Sequence, residues 1–414
     1  MRDVTADLVR KTACRIGSAG TMLRALPPTR IANAIHEAAT RLLGTDGIGA
    51  EARSTLPSAT GLSAPMVEWA LTTTLRTSSV DALMSMLPHE VSSGRARAHQ
   101  PARLAAVVLA GNVFTASFRA LLAPLLSRVP VVAKAPSRDD VFPRLFARAI
   151  AEADAEVGQA IDVVTFQGGT TALEDTLFAQ CDVVAAYGSD TTLADIRARL
   201  PATSTFVPHG HGLGIAFVPI SATANEQTRA ELVRALALDV AAYDQRGCLS
   251  PHAIFVERGG GISGRQLAER LCHEGLPHEE SVRGRGPLPL AIGAQQLQWR
   301  GIAAARGDLF EGDSWAVSFE GCGAFRLSPG YRNVSVIECN DTGDFLQRIA
   351  PLGVHLKCLG IAADEAQRDA LVEQLPAPIA PRICEVGRMQ TPELTGPADG
   401  MDPMFGFLRH IALR

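Results

Sequence analysis

Leu104-Ala105-Ala106-Val107-Val108-Leu109-Ala110-Gly111-Asn112-Val113-Phe114 is a short apolar run that ends on a Gly-Asn pair. Three further runs of the same kind follow, at Val129 to Ala133, Ile161 to Phe166 and Val183 to Tyr187. Helical stretches such as Asp140 to Ala155 separate them. Near-continuous apolar strands joined by helices imply a parallel sheet covered on both faces, hence an α/β fold. Ligands of such sheets bind beyond the carboxyl ends of the strands, where the Gly-containing turns of this chain fall.

Upstream, residues 1 to 95 read as mainly helical, with apolar residues at helical spacing in Ile31 to Ala38 and Pro65 to Leu71. Ser92-Ser93-Gly94-Arg95-Ala96-Arg97 reads as a linker or the start of an extended arm. Downstream, a helix is expected over Glu226 to Ala242, and it runs into a turn at Asp244-Gln245-Arg246-Gly247-Cys248-Leu249-Ser250-Pro251. The strand His252 to Glu257 comes next, then a helix opened by Ser263-Gly264-Arg265-Gln266, a capping-box pattern. A strand at Val354 to Leu359 and a helix around Ala363 to Gln374 precede a Pro- and Gly-rich C-terminal arm.

The 414 residues are 47% hydrophobic and 20% charged, enough apolar material for two sizeable cores. A net charge of −4 gives no electrostatic footing for nucleic acid. No run approaches 18 apolar residues, so no transmembrane helix is expected. The eight cysteines form no CxxC pair, which argues against a zinc site or disulfide scaffold; no metal is expected. Met1 to Asp7 lacks a signal-peptide hydrophobic region, and the expected location is cytoplasmic.

Five stretches bear chemistry. Cys248 sits on turn residues, and a thiol presented by a turn suits acyl exchange, because its thiolate is both nucleophile and leaving group. Asn112 follows the first strand, where its carboxamide can donate to a developing oxyanion; the plainer reading is a common Gly-Asn turn. Lys134-Ala135-Pro136-Ser137-Arg138 leaves the second strand, where a lysine can meet a nucleotide ribose or phosphate. Ser137 and Arg138 suit a 2′-phosphate; a solvated strand-end charge is the alternative. Gly168 and the pair Gly188-Ser189 stand at strand-to-helix turns, where free N–H groups receive phosphate or simply cap a helix. The loop His209-Gly210-His211-Gly212 precedes a strand, so it is not a dinucleotide fingerprint, and it reads as a loop lining the active site.

In this order, the elements resemble the aldehyde dehydrogenase superfamily, and more closely its acyl-CoA reductases of LuxC type. The likeness rests on Lys134 to Asp139, Asp244 to Pro251 and Gly387-Arg388-Met389-Gln390-Thr391-Pro392. It implies two parallel-sheet domains with a helical N-terminal region and an oligomerisation arm. The implied division is a helical region 1–95, a cofactor domain 96–240 completed by part of 345–380, a catalytic domain 241–345, and a C-terminal arm 380–414. The implied activity is NAD(P)H-dependent reduction of an acyl thioester, on CoA or an acyl carrier protein, to an aldehyde. Cys248 would attack the thioester, and Asn112 with the Cys248 backbone N–H would hold the oxyanion. Lys134, Pro136, Ser137, Arg138, Gly168, Gly188, Ser189 and Gly212 would bind the cofactor, with NADPH favoured over NADH. A homo-oligomer is implied, residues 92–103 and the C-terminal arm being the candidate contacts.

One departure bears on direction. Hydrolytic aldehyde dehydrogenases keep a glutamate that activates water in the loop matching His209 to Gly212, and no glutamate stands there. Without that base, acyl exchange with a thiol is favoured over hydrolysis. The competing readings are a CoA-acylating aldehyde dehydrogenase and a non-redox acyl-binding or acyltransferase relative.

Overall fold

The computed structural model describes residues 4–88, 91, 99–137 and 139–410. It divides into two compact units, one of Met1–Thr60, Val67–His211 and Glu393–Arg414, the other of Gly61–Met66 and Gly212–Pro392.

In the first unit, a short strand β1 (His99–Pro101) precedes the main sheet strands. These are β2 (Ala105–Val108), β3 (Val131–Ala135), β4 (Ile161–Thr165), β5 (Val183–Gly188) and β6 (Thr205–Gly210). Among the described residues they form one five-stranded sheet in the order β4-β3-β2-β5-β6, every pair parallel. Every residue of β2 and β3 is buried, as strands covered by helices on both faces require. The chain steps outward from β2 to β4 and then returns to the other side of β2, so the strand order reverses between β2 and β5. In doubly wound sheets the carboxyl edge at such a reversal is the usual ligand position. The N-terminal helix Ala6–Ser18 lays Val9, Ala13 and Ile16 on Leu104, Val132 and Val184, so part of the expected helical region covers this sheet.

The second unit holds β7 (Leu213–Val218), β8 (Pro251–Glu257), β9 (Asp308–Glu311), β10 (Ala316–Phe319), β11 (Asn333–Cys339), β12 (Leu356–Ile361) and β13 (Arg382–Glu385). Among the described residues they form a seven-stranded sheet ordered β13-β12-β7-β8-β11-β10-β9, parallel except where β9 meets β10. Helix Glu226–Ala241 packs Leu232, Leu236 and Val240 onto Ile254, Val256 and Val336 of one face. On the other face Phe345 stacks on Phe217 with ring centroids 4.2 Å apart. Helix Gly264–Arg270 opens with the expected capping box, Ser263 accepting from the Gln266 N–H.

The division differs from the expected one in three places, each for a hydrogen-bonding reason. The boundary falls at 211/212 and not at 240/241, because β7 pairs with β8 and β12. Strand β12 does not complete the first sheet, since its partners are β7 and β13. Nor are residues 380–414 an irregular arm throughout: β13 extends the second sheet, and β14 (Leu408–His410) pairs antiparallel with β1. The linker at 92–97 lies outside the described residues.

Candidate active site

The turn that presents Cys248 begins where helix Glu226–Ala241 stops. Tyr243, Asp244 and Gln245 follow with φ of 52°, 52° and 57°, three consecutive non-glycine residues in the left-handed region. Each such residue costs about 1–3 kcal/mol, so the stretch persists only where its surroundings hold it. All three are buried, whereas Cys248 is exposed.

Asp244 accepts from the Gly286 N–H at 3.1 Å and from the Arg332 guanidinium at 3.0 Å. Burial pushes its carboxyl above the ordinary carboxylate range, against the opposing pull of Arg332. Gln245 does the work of a strand residue with its side chain. Its carboxamide donates to the Pro251 carbonyl at 2.8 Å and to the Asn333 carbonyl at 2.8 Å, and accepts from the Asn333 N–H at 2.8 Å. The Gln245 amide thus bridges the first residue of β8 to the first residue of β11. On the far side, Gly214 of β7 donates to the Ser250 carbonyl at 2.8 Å. A Cβ on Gly214 would stand 2.4 Å from the Leu249 carbonyl oxygen, so only glycine lets β7 approach the turn.

Of the eight cysteines, Cys14, Cys248 and Cys322 are exposed and the other five are buried. Burial pushes the Cys339 thiol up to about 12, which removes it as a nucleophile near neutral pH. Cys248 alone among the exposed three follows a buried, hydrogen-bonded left-handed stretch.

In the other unit, the parallel register brings most of the expected cofactor residues to one sheet edge. Asn112 is exposed in the turn after β2. Lys134 lies inside β3, only 4% exposed, with its ammonium 5.3 Å from the Phe166 ring centroid. It is therefore not the solvated strand-end charge of the plainer reading. Burial lowers its pKa, with Glu174 pulling the other way. Glu174 is held by the Gly169 N–H at 3.0 Å and by Arg199 at 2.5 Å. Pro136 packs where a Cβ on Gly111 would lie, 3.1 Å from its Cγ. Ser137 and Gly168 are exposed at the same edge. Arg138 lies outside the described residues.

Gly188 closes β5, and Ser189 caps helix Asp190–Arg199, its hydroxyl accepting from the Thr192 N–H at 3.2 Å. Asp190 also occupies the first turn, where its charge suits the positive end of the helix dipole. Gly212 belongs to the second unit, where a Cβ would stand 2.4 Å from the His355 carbonyl oxygen; close packing explains it. Sequence reasoning missed a pairing at this edge. His209 stacks on Tyr187 with centroids 4.3 Å apart, and its Nδ1 meets Asp399 at 2.9 Å. Asp399 is 190 residues away, and nothing local in the sequence signals the contact.

The family model for acyl-CoA reductase (LuxC) matches residues 29–410. The chain belongs to this family. No curated protein matches it. The structure is similar to an NAD-dependent benzaldehyde dehydrogenase from Corynebacterium glutamicum, at TM-score 0.72 and 15% identity, covering 95% of this chain and 88% of that one. It is similar to aldehyde dehydrogenase 21 from Physcomitrella patens, at TM-score 0.74 and 13% identity, covering 98% and 90%. It is also similar to the glyceraldehyde-3-phosphate dehydrogenase GapN from Methanocaldococcus jannaschii, complexed with NADP, at TM-score 0.69 and 13% identity, covering 94% and 87%. The fold is that of the aldehyde dehydrogenases, as the sequence motifs imply. As a member of the LuxC family the protein is an oxidoreductase that works at the aldehyde level with a nicotinamide cofactor. Among the described residues, no helix is long and apolar enough to cross a membrane.

Proposed function

We propose that this reductase converts an acyl thioester to an aldehyde with NADPH, through an acyl group carried on Cys248. The observation that carries the reading is an exposed thiol on a turn whose preceding residues are buried and pinned. A nucleophile held this way loses little freedom on reaching its attack geometry.

In this reading the Cys248 sulfur attacks the thioester carbonyl, and the departing thiol leaves with a proton. The Asn112 carboxamide and the Cys248 backbone N–H donate to the oxyanion, roles taken from the family resemblance. Lys134, Pro136, Ser137 and Gly168, at the carboxyl edge of the first sheet, would hold the cofactor's ribose and 2′-phosphate, a role the sequence also assigns to Arg138. The reversal of strand order between β2 and β5 is where doubly wound sheets take a dinucleotide. Bound nicotinamide supplies the hydride. The resulting thiohemiacetal on Cys248 collapses, releasing aldehyde and restoring the thiol. His209 to Gly212 offers no carboxylate to activate water, so acid is a minor product.

The test is oxidation of NADPH and of NADH against a panel of acyl-CoAs of increasing chain length. NADPH-dependent aldehyde formation, abolished in Cys248→Ala, is the expected result. Unchanged turnover in Cys248→Ala rejects the covalent route, and faster release of acid than transfer to CoA rejects the argument from the missing glutamate.

A further inference from the structure

We propose that Arg332 is a positioning residue for the nucleophile, acting on Cys248 through Asp244. The inference rests on the reading of Cys248 as the acyl carrier.

Arg332 is fully buried, an unusual state for a guanidinium. Its Nη2 donates to Asp244 at 3.0 Å and to the Arg283 carbonyl at 2.6 Å, and its Nη1 donates to Glu280 at 2.5 Å. Its buried Nε has no hydrogen-bond partner among the described residues, so the side chain is not placed to satisfy itself. What its position achieves is a clamp on Asp244. Next in sequence, Asn333 exchanges two backbone hydrogen bonds with the Gln245 side chain. Residues 332–333 therefore grip 244–245 twice, on the last two left-handed residues before the Cys248 turn.

The clamp is itself built on unusual backbone, since Tyr331 and Arg332 have φ of 52° and 65°. Two left-handed segments far apart in sequence are locked by one ion pair and one amide exchange. The charges facing Arg332 are Asp244 and Glu280, while Arg246 and Arg283 lie nearby, Arg283 being paired with Glu279 at 2.5 Å. A guanidinium spans three acceptors in one plane, and an ammonium on a lysine stem does not. If Arg332 only filled space, any side chain that kept the fold would keep the rate. If it sets the turn, its loss slows acyl transfer to Cys248 and leaves substrate and cofactor binding intact.

The experiment compares Arg332→Met, Arg332→Lys and Glu280→Gln with the unaltered enzyme, reading kcat, KM for an acyl-CoA, NADPH affinity and the rate of CoA release on a single turnover. Arg332→Met is expected to lower kcat and the CoA-release rate about 100-fold, with KM and NADPH affinity within about threefold. Arg332→Lys should recover part of that loss, and Glu280→Gln should stay within about threefold, because the Asp244 contact remains. Equal kcat in a folded Arg332→Met enzyme overturns the proposal. Should Arg332→Met not fold, an undiminished kcat in Arg332→Lys overturns it instead. Activity surviving in Cys248→Ala would strike the underlying reading, whereas an inactive Cys248→Ala beside a fully active Arg332 variant strikes this proposal alone.

Discussion

Cys248 is exposed because three residues before it adopt a conformation they would not choose alone, and buried partners hold them there. The neighbouring His252 reports on the same packing. Its Nδ1 lies 2.9 Å from the Ser328 hydroxyl, and burial lowers its pKa from 6.5 to about 4. The folded protein thus keeps this imidazole neutral while an unfolded chain takes up a proton near 6.5. Its contribution is complete above that value and is lost as pH falls toward about 4. Urea unfolding should show about 2 kcal/mol less stability at about pH 5 than at neutral pH from this group, and His252→Gln should remove that part of the slope. A second expectation concerns Asn112, an exposed carboxamide at the β2 end. Asn112→Ala should cut the acylation rate by about 10²–10³ with stability unchanged, measured by single-turnover CoA release and thermal melting. An unaffected rate would return Asn112 to the plain turn reading.

Elements carry a different constraint, the spacing between a strand and the turn beside it. Gly214 lets β7 lie against Leu249, and a methyl group there meets a backbone oxygen that cannot swing aside. Gly214→Ala should destabilise the second unit by about 1–3 kcal/mol and slow Cys248 acylation; a normal melting midpoint with normal acylation would show that the turn can yield. The strands themselves were readable, because β2 to β5 are apolar runs of the length and composition that parallel sheets need. The sheet to which a strand belongs was not. Strands β7 and β12 pair across more than 130 residues of chain, and no local pattern encodes that pairing.

Over the whole molecule, the chain leaves the first unit at 211 and returns to it at 393. The returning segment is tied down at several points: Asp399 to His209, the Gly396 carbonyl to Arg119, the Met404 sulfur to Ser127, and β14 to β1. Met404 and Phe407 are buried by this return. Deleting 393–414 should therefore loosen the first unit selectively. Hydrogen exchange is expected to speed up in β1, β5 and β6 and to stay slow in β8 and β11, and uniform loss of protection would show that the two units unfold together.

Apolar period, turn chemistry and residue order are local properties, and they made the fold class and the superfamily motifs legible and singled out Cys248 as the candidate nucleophile. Tertiary structure alone decided which strands share a sheet, that Lys134 is buried and not solvated, and that Gly212 packs against β12. It alone showed how Cys248 is held. Asp244 and Gln245 lie within the recognised motif, yet their partners Arg332 and Asn333 lie 88 residues on, in a stretch that no motif marked. Their pairing follows from the β8–β11 register, a long-range contact that forms only when the sheet closes.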